Sequence, residues 1–203
     1  MIDTQPLGTS KPIHAPKITA ALLYGAAAVI LVAALALPWW RFSMVAPQYP
    51  EGLSVTTWFF GVTGDVHEVD ELNHYIGYMP LADIASLERH IAFLAGPLAV
   101  ALLVLAATLK SRLRAWLIIP ALSLPIVFIV DLAAWLQYSG HHLDPHAALS
   151  GAVQPWTPNL LGAGGVGQFH TYSSLEAGFF LAVIAALLAL SAAFRQLREQ
   201  HQP

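Results

Sequence analysis

Long apolar runs alternate with two polar stretches along this chain, and that alternation predicts most of its elements. Apolar runs at about residues 18–37, 91–109, 115–137 and 177–194 each approach the ~20 residues an α-helix needs to cross hydrocarbon. Lipid offers backbone groups no hydrogen-bond partner, so each run predicts a spanning helix. The expected fold is therefore an all-α membrane protein with four transmembrane helices, flanked by tails at 1–17 and 196–203 around a membrane domain at 18–195. Pro120 and Pro125 lie within the third run and predict a bend there.

The polar stretches, about 38–90 and 138–176, become two structured outer loops. In the first, Trp39 and Trp40 predict an aromatic anchor at headgroup level. Ser54 to Phe60, rich in β-branched and aromatic residues, predicts a short strand. Val66 to Tyr75 predicts a short helix capped by Gly77, and Leu81 to Leu87 a short amphipathic one leading back to the bilayer. The second loop, rich in Pro and Gly, predicts irregular structure packed on the first.

Charge orients this frame. Lys11, Lys17, Lys110, Arg112, Arg114, Arg195 and Arg198 all fall on one side of the four expected helices, which the positive-inside rule makes cytoplasmic, with both termini. Arg41 and Arg89 face nine acidic residues in the outer loops, a net −7 with neutral histidines. Such a face suits cations and disfavours nucleic acid. The basic stretch before the first run resembles a signal peptide, but the run is long for a cleaved apolar segment and predicts a retained helix. The chain has no cysteine, which removes disulfides, thiolate metal sites and thiol catalysis.

Candidate chemistry gathers in the outer loops, which hold His67, His74, His90, His141, His142, His146 and His170, seven of the nine histidines. On a helix His67, Glu71 and His74 fall at i, i+4 and i+7 on one face, and Asp70 lies four residues from His74. Met79 follows five residues after His74 and Met44 is the other outer methionine. Imidazole with thioether favours copper, above all Cu(I), whereas the His141, His142 and His146 cluster suits Cu(II), Zn or Ni. The plain alternative is that these charges solvate a surface helix and satisfy one another. Asp131 sits about six residues, hence ~9 Å, below the outer end of the third run. A carboxylate at that depth is a functional candidate with His90 and Arg89 as partners, or half of a structural ion pair. No hydrolase, zinc-protease or nucleotide motif stands in the sequence, and Gly162-Ala163-Gly164-Gly165 lacks a following lysine, so no strong motif points to those chemistries and a nucleotide site is not expected. A b-type haem is disfavoured because only His90 approaches a helix.

Three segments taken together resemble a family of small four-helix bacterial inner-membrane proteins associated with nitrous oxide reductase accessory clusters and copper-dependent respiration. They are Pro47-Gln48-Tyr49-Pro50-Glu51-Gly52-Leu53, Gly64-Asp65-Val66 leading to Leu72-Asn73-His74-Tyr75-Ile76-Gly77, and Leu161-Gly162 leading to Gln168-Phe169-His170-Thr171-Tyr172-Ser173. The resemblance carries over Tyr49, Glu51, Asn73, His74 and Tyr75, and implies an inner-membrane location with periplasmic loops and a copper-handling context. The family pattern places methionine directly after the glycine, where this chain has Tyr78 and then Met79.

The leading expectation is a non-catalytic accessory protein whose periplasmic cap binds copper for maturation of a cuproenzyme, with His74 as main ligand, helped by His67, Met79 or a second-loop histidine. A second reading is a metal-free subunit stabilising a larger membrane respiratory or transport complex. A third is a quinol-interacting electron-transfer subunit, with Asp131, His90 and Glu176 as a proton path. The partners expected are the lipid bilayer and another membrane or periplasmic protein.

Overall fold

A computed structural model describes residues 19–109, 112–166 and 168–199, so the tail expected at 1–17 lies outside the described residues. The elements run α1 (Ala20–Leu35), β1 (Pro38–Ala46), β2 (Tyr49–Trp58), β3 (Gly61–Gly64), α2 (Val66–Ile76), α3 (Ser86–Thr108), a 3-10 turn (Arg112–Ala115), α4 (Ile119–His141), β4 (Gly162–Val166), β5 (Phe169–Leu175) and α5 (Ala177–Glu199). The fold is mixed: apolar helices carry, at one end, a five-stranded antiparallel sheet ordered β3-β2-β1-β5-β4. This overturns the all-α, four-span expectation on both counts. At ~1.5 Å per residue the 23-residue α3, α4 and α5 exceed the ~30 Å of hydrocarbon, whereas the 16 residues of α1 reach only about 24 Å. Among the described residues, three helices are thus long and apolar enough to cross a membrane, as fits a membrane protein.

The helices pack along seams of small residues. Ala27, Ala28, Leu31 and Ala34 of α1, Ala182, Ala185, Ala189 and Ala192 of α5, and Ala99, Leu103 and Ala106 of α3 are all buried in one core. Small side chains let helix backbones approach closely, which is how apolar helices associate where lipid competes for every apolar contact. The Tyr24 hydroxyl donates to Gln196 Oε1 at 3.2 Å near one end of the α1–α5 pair. At the other end Gly178 lies so close to the Leu37 and Pro38 carbonyls that a Cβ would meet both at 2.6 Å. Hence α1 runs antiparallel along α5.

Helix ends depart from expectation for local reasons. Pro38 cannot continue a helix and restricts the residue before it, so α1 stops at Leu35 and β1 begins. Helix α3 starts at Ser86, five residues before the expected run, and absorbs Glu88, Arg89 and His90; Leu81 to Ala85, expected to open a separate amphipathic helix over Leu81 to Leu87, are turn instead. Pro120 lies in the first turn of α4, where its missing N–H costs nothing; only Pro125 is interior. Helix α5 continues to Glu199, taking in part of the expected tail.

The sheet joins the two outer segments. Strands β1 and β2 form a hairpin across Pro47-Gln48, with Ala46 opposite Tyr49, and β2 turns into β3 across Phe59-Phe60. The other edge of β1 pairs with β5, from Trp40 opposite Leu175 to Val45 opposite His170. The second outer segment is therefore irregular only in its first part, since its last residues form β5 and β4, and β4 completes the sheet.

A register shift between Pro38 and Trp40 leaves Trp39 in a bulge. In a regular strand neighbouring side chains point to opposite faces, and a bulge re-aims one of them. Both indoles are consequently buried, not laid at a headgroup surface as expected. Trp39 donates to the Ala34 carbonyl at 2.9 Å, with its ring 5.0 Å from Phe59, 4.9 Å from Phe128 and 6.2 Å from Phe179. Trp40 donates to the Leu160 carbonyl at 2.8 Å.

Trp39→Ala is expected to destabilise the protein by about 3–5 kcal/mol through the cavity it leaves, read as denaturant unfolding in detergent micelles by circular dichroism. Arg41→Ala breaks a half-exposed ion pair with Glu176 at 3.4 Å and should change the same midpoint by less than about 1 kcal/mol.

Candidate functional site

The segment Val66–Ile76 is helical, as its pattern predicts. Gly77 ends it in the left-handed conformation (φ 78°), and the Tyr78 N–H donates back to the Asn73 carbonyl at 2.9 Å, a glycine-dependent closure of the last turn. Asn73 is buried, with its amide near Asp70 Oδ1 and the Met79 carbonyl, at 3.3 and 3.5 Å; Asp70 Oδ1 also accepts from the Leu81 N–H at 2.8 Å. The Gly77 carbonyl accepts from the Asp144 N–H at 2.8 Å and that of Tyr75 from the Leu149 N–H at 2.9 Å. Gly77 and Tyr75 thereby fasten the second outer segment to α2, while Asn73 holds the corner that follows the helix. Tyr49 packs against the small core of Leu53, Val55 and Val69 beneath this helix. Glu51 lies exposed at the opposite hairpin.

The expected ligands are dispersed. His67 Nε2 lies 4.0 Å from Glu71 Oε1 on the exposed face of α2. His74 is exposed, its ring edge-on to Tyr75 at 6.1 Å. Met79 is half-buried, and Met44 lies on the inner face of β1. At the end of α4, His141 Nδ1 lies 2.9 Å from the Gln137 carbonyl and His142 Nδ1 2.8 Å from that of Tyr138, on whose ring His142 stacks at 4.0 Å. His146 receives the Asp144 carboxylate at its backbone N–H, 2.8 Å away. His90 Nδ1 is engaged by the Ser86 carbonyl at 2.6 Å. Among the described residues no three His, Cys, Asp or Glu side chains converge as a metal site would require.

What the fold does create is a cavity of about 710 Å³ between the sheet and the sheet-side halves of α3 and α4. Trp40, Phe42 and Met44 of β1, with Val55 and Thr57 of β2, form its ceiling; α2 contributes Val69, Leu72 and Asn73. Helix α3 supplies Glu88, Ala92 and Ala95, and α4 supplies Leu124, Phe128, Asp131, Leu132 and Trp135, each set at helical spacing. Its size lies within the ~300–1,000 Å³ of ligand pockets, and its walls are chiefly apolar and aromatic with few polar groups, as such pockets are.

Two polar groups face each other inside it. Asp131 lies against Trp135, one turn on, and is close enough to Glu88 of α3 to act on it electrostatically. Oε2 of Glu88 is buried without a hydrogen-bond partner. Glu88, rather than His90 or Arg89, is thus the residue the fold brings to Asp131. Glu176, the third member of the expected proton path, is occupied by Arg41 and by the Ser174 hydroxyl. Glu88 escapes a reading that starts the helix at Ile91; extending the Ala92, Ala95 spacing back one turn recovers it on the same face.

Tyr78 closes the side of the cavity against Trp156, their rings 5.6 Å apart. Burial pushes its phenol up to about 12, opposed in part by the nearby Ser139 hydroxyl, which itself makes no well-formed hydrogen bond. The Trp156 N–H donates to the Gly140 carbonyl at 3.1 Å, and a Cβ on Gly140 would collide with the Trp156 carbonyl.

Because the folded protein holds the Tyr78 proton to about pH 12 while an unfolded chain releases it near 10, stability present below pH 10 should fall away between these values. Absorbance titration at 295 nm should show one late phenol that Tyr78→Phe removes. Gly77→Ala should cost about 1–2 kcal/mol from the left-handed φ alone. The added Cβ would also meet backbone atoms of Asp144 at 2.7–2.8 Å, so limited proteolysis should cut the 138–161 segment faster in this variant.

No family model matches the sequence, and no curated protein matches it.

Proposed function

We propose that this chain is an accessory protein of the bacterial inner membrane whose outer half is a receptor for a membrane-soluble amphiphile. The observation that carries this reading is the cavity of about 710 Å³ beneath the sheet. An apolar space of that size, walled by aromatic rings and abutting helices that would lie in lipid, is filled most readily by a molecule already dissolved in the bilayer. The orientation that accompanies it places the sheet in the periplasm. Arg114 lies over the Tyr24 ring and Tyr24 bonds Gln196, so the basic positions around 114 and 195–198 gather at the helix ends away from the sheet. That end would be cytoplasmic, and α1 and α5 would place the described chain ends there together.

Copper handling is the second reading, and one observation favours it. His141 and His142 each have Nδ1 engaged by a backbone carbonyl, the outer-shell contact that fixes a metal-binding imidazole with its other nitrogen outward.

Native mass spectrometry of protein released from detergent should show a co-purifying apolar species of defined mass, and Ala95→Trp together with Leu132→Trp, which fill the cavity, should abolish it while the protein remains monodisperse. An identical adduct in both proteins would sink the receptor reading. Copper per chain, measured by elemental mass spectrometry on chelator-free protein, decides the second reading: near-stoichiometric metal lost in His141→Ala and His142→Ala, or in His67→Ala and His74→Ala, would establish it.

A further inference from the structure

We propose that the guest of the cavity is a quinol: a flat ring with hydroxyl donors at its edge and an apolar tail. This rests on the receptor reading and names its ligand class. The acidic pair in the cavity sets the headgroup, since Arg89, which also lines the cavity, already donates to the Ala82 carbonyl. Asp131 and Glu88 meet from α4 and α3, and two carboxyls this close, even when they share one proton, offer more acceptors than donors. Oε2 of Glu88 is buried and unpartnered, and a buried acceptor left unpaired costs about 1–3 kcal/mol. A guest that supplies donors removes that cost, whereas one carrying acceptors only, such as a quinone, adds to it.

The surroundings set the rest of the molecule. Phe128 and Trp135 flank the acidic pair on α4, with Phe42 and Trp40 on the sheet opposite, and such walls receive a planar ring by stacking or edge contact. Ile91 of α3 and Val127 of α4 both line the cavity and are more than half exposed. The entry route proposed for the guest runs between these two apolar side chains, on helices long enough to span the bilayer. A tail can remain outside this mouth in lipid while the head reaches inward. A neutral phenolic head passes such a mouth at modest cost, whereas a permanently charged head crossing hydrocarbon costs at least about 2.5–3.5 kcal/mol. The proposal concerns capture of the quinol, with no oxidation step.

The test is a titration of the full-length protein in lipid nanodiscs, followed by quenching of tryptophan fluorescence, since Trp40, Trp135 and Trp156 line the cavity. The probes are decylubiquinol, decylubiquinone, decyltrimethylammonium and decane. Saturable quinol binding at least about ten-fold tighter than quinone is expected, and Asp131→Asn and Glu88→Gln should each remove that preference by weakening quinol binding and strengthening quinone binding, with the far-ultraviolet circular dichroism of the folded protein retained. Equal binding of quinol, quinone and decane, indifferent to both variants, would overturn the quinol assignment and leave the receptor reading intact. Preferential binding of the ammonium probe would overturn it in favour of a cationic guest. Failure of all four probes to bind would remove the receptor reading as well.

Discussion

The seating of Trp39 inside the helical core is the constraint on which the remaining structure depends. One bulged residue at the start of β1 turns an indole out of the sheet and in among Phe59, Phe128 and Phe179, so a single side chain links β1, the β2–β3 turn, α4 and α5. Its N–H closes on the last turn of α1, which satisfies a buried donor and fixes the angle at which the strand leaves the helix. The same placement explains the glycines around it. Gly178 admits the α1–β1 connection and Gly96 admits Phe59, positions where any side chain would push sheet and helices apart. The cavity exists because the sheet is held at this distance and slant above α3 and α4.

How far the sequence discloses this arrangement depends on the range over which each signal acts. Helix α2, its Gly77 end and three long apolar helices are legible because periodicity and a capping glycine are local signals. The sheet is not. Strand β1 hides because Trp39, Trp40, Phe42 and Met44 also compose a plausible interfacial anchor, and only pairing with β5, more than 120 residues later, decides between the two. Strand β4, Gly162 to Val166, has hardly any side chain with which to announce itself. The hairpin turn Phe59-Phe60 carries none of the usual turn residues because its rings serve the core.

The candidate residues divide along the same line. His67, Glu71 and His74 share a helix face as spacing requires, yet a face is not a site, and His90, His141 and His142 settle on carbonyls within their own helices. Asn73 and Tyr49, prominent in the sequence motifs, serve as a corner and a packing piece. Asp131 stands out for its depth, and what gives that depth meaning is Glu88 on a neighbouring helix, a relation that no spacing along the chain encodes.

The central position of β1 also fixes when the outer half can be finished. Its neighbour on one side, β2, follows at once, whereas its neighbour on the other, β5, emerges only after α3 and α4. Synthesis therefore leaves an open strand edge, flanked by aromatic side chains, waiting while two long helices enter the membrane. Such an edge invites mispairing, so the nascent chain has a built-in interval in which a chaperone would have most effect on whether the last strands close correctly.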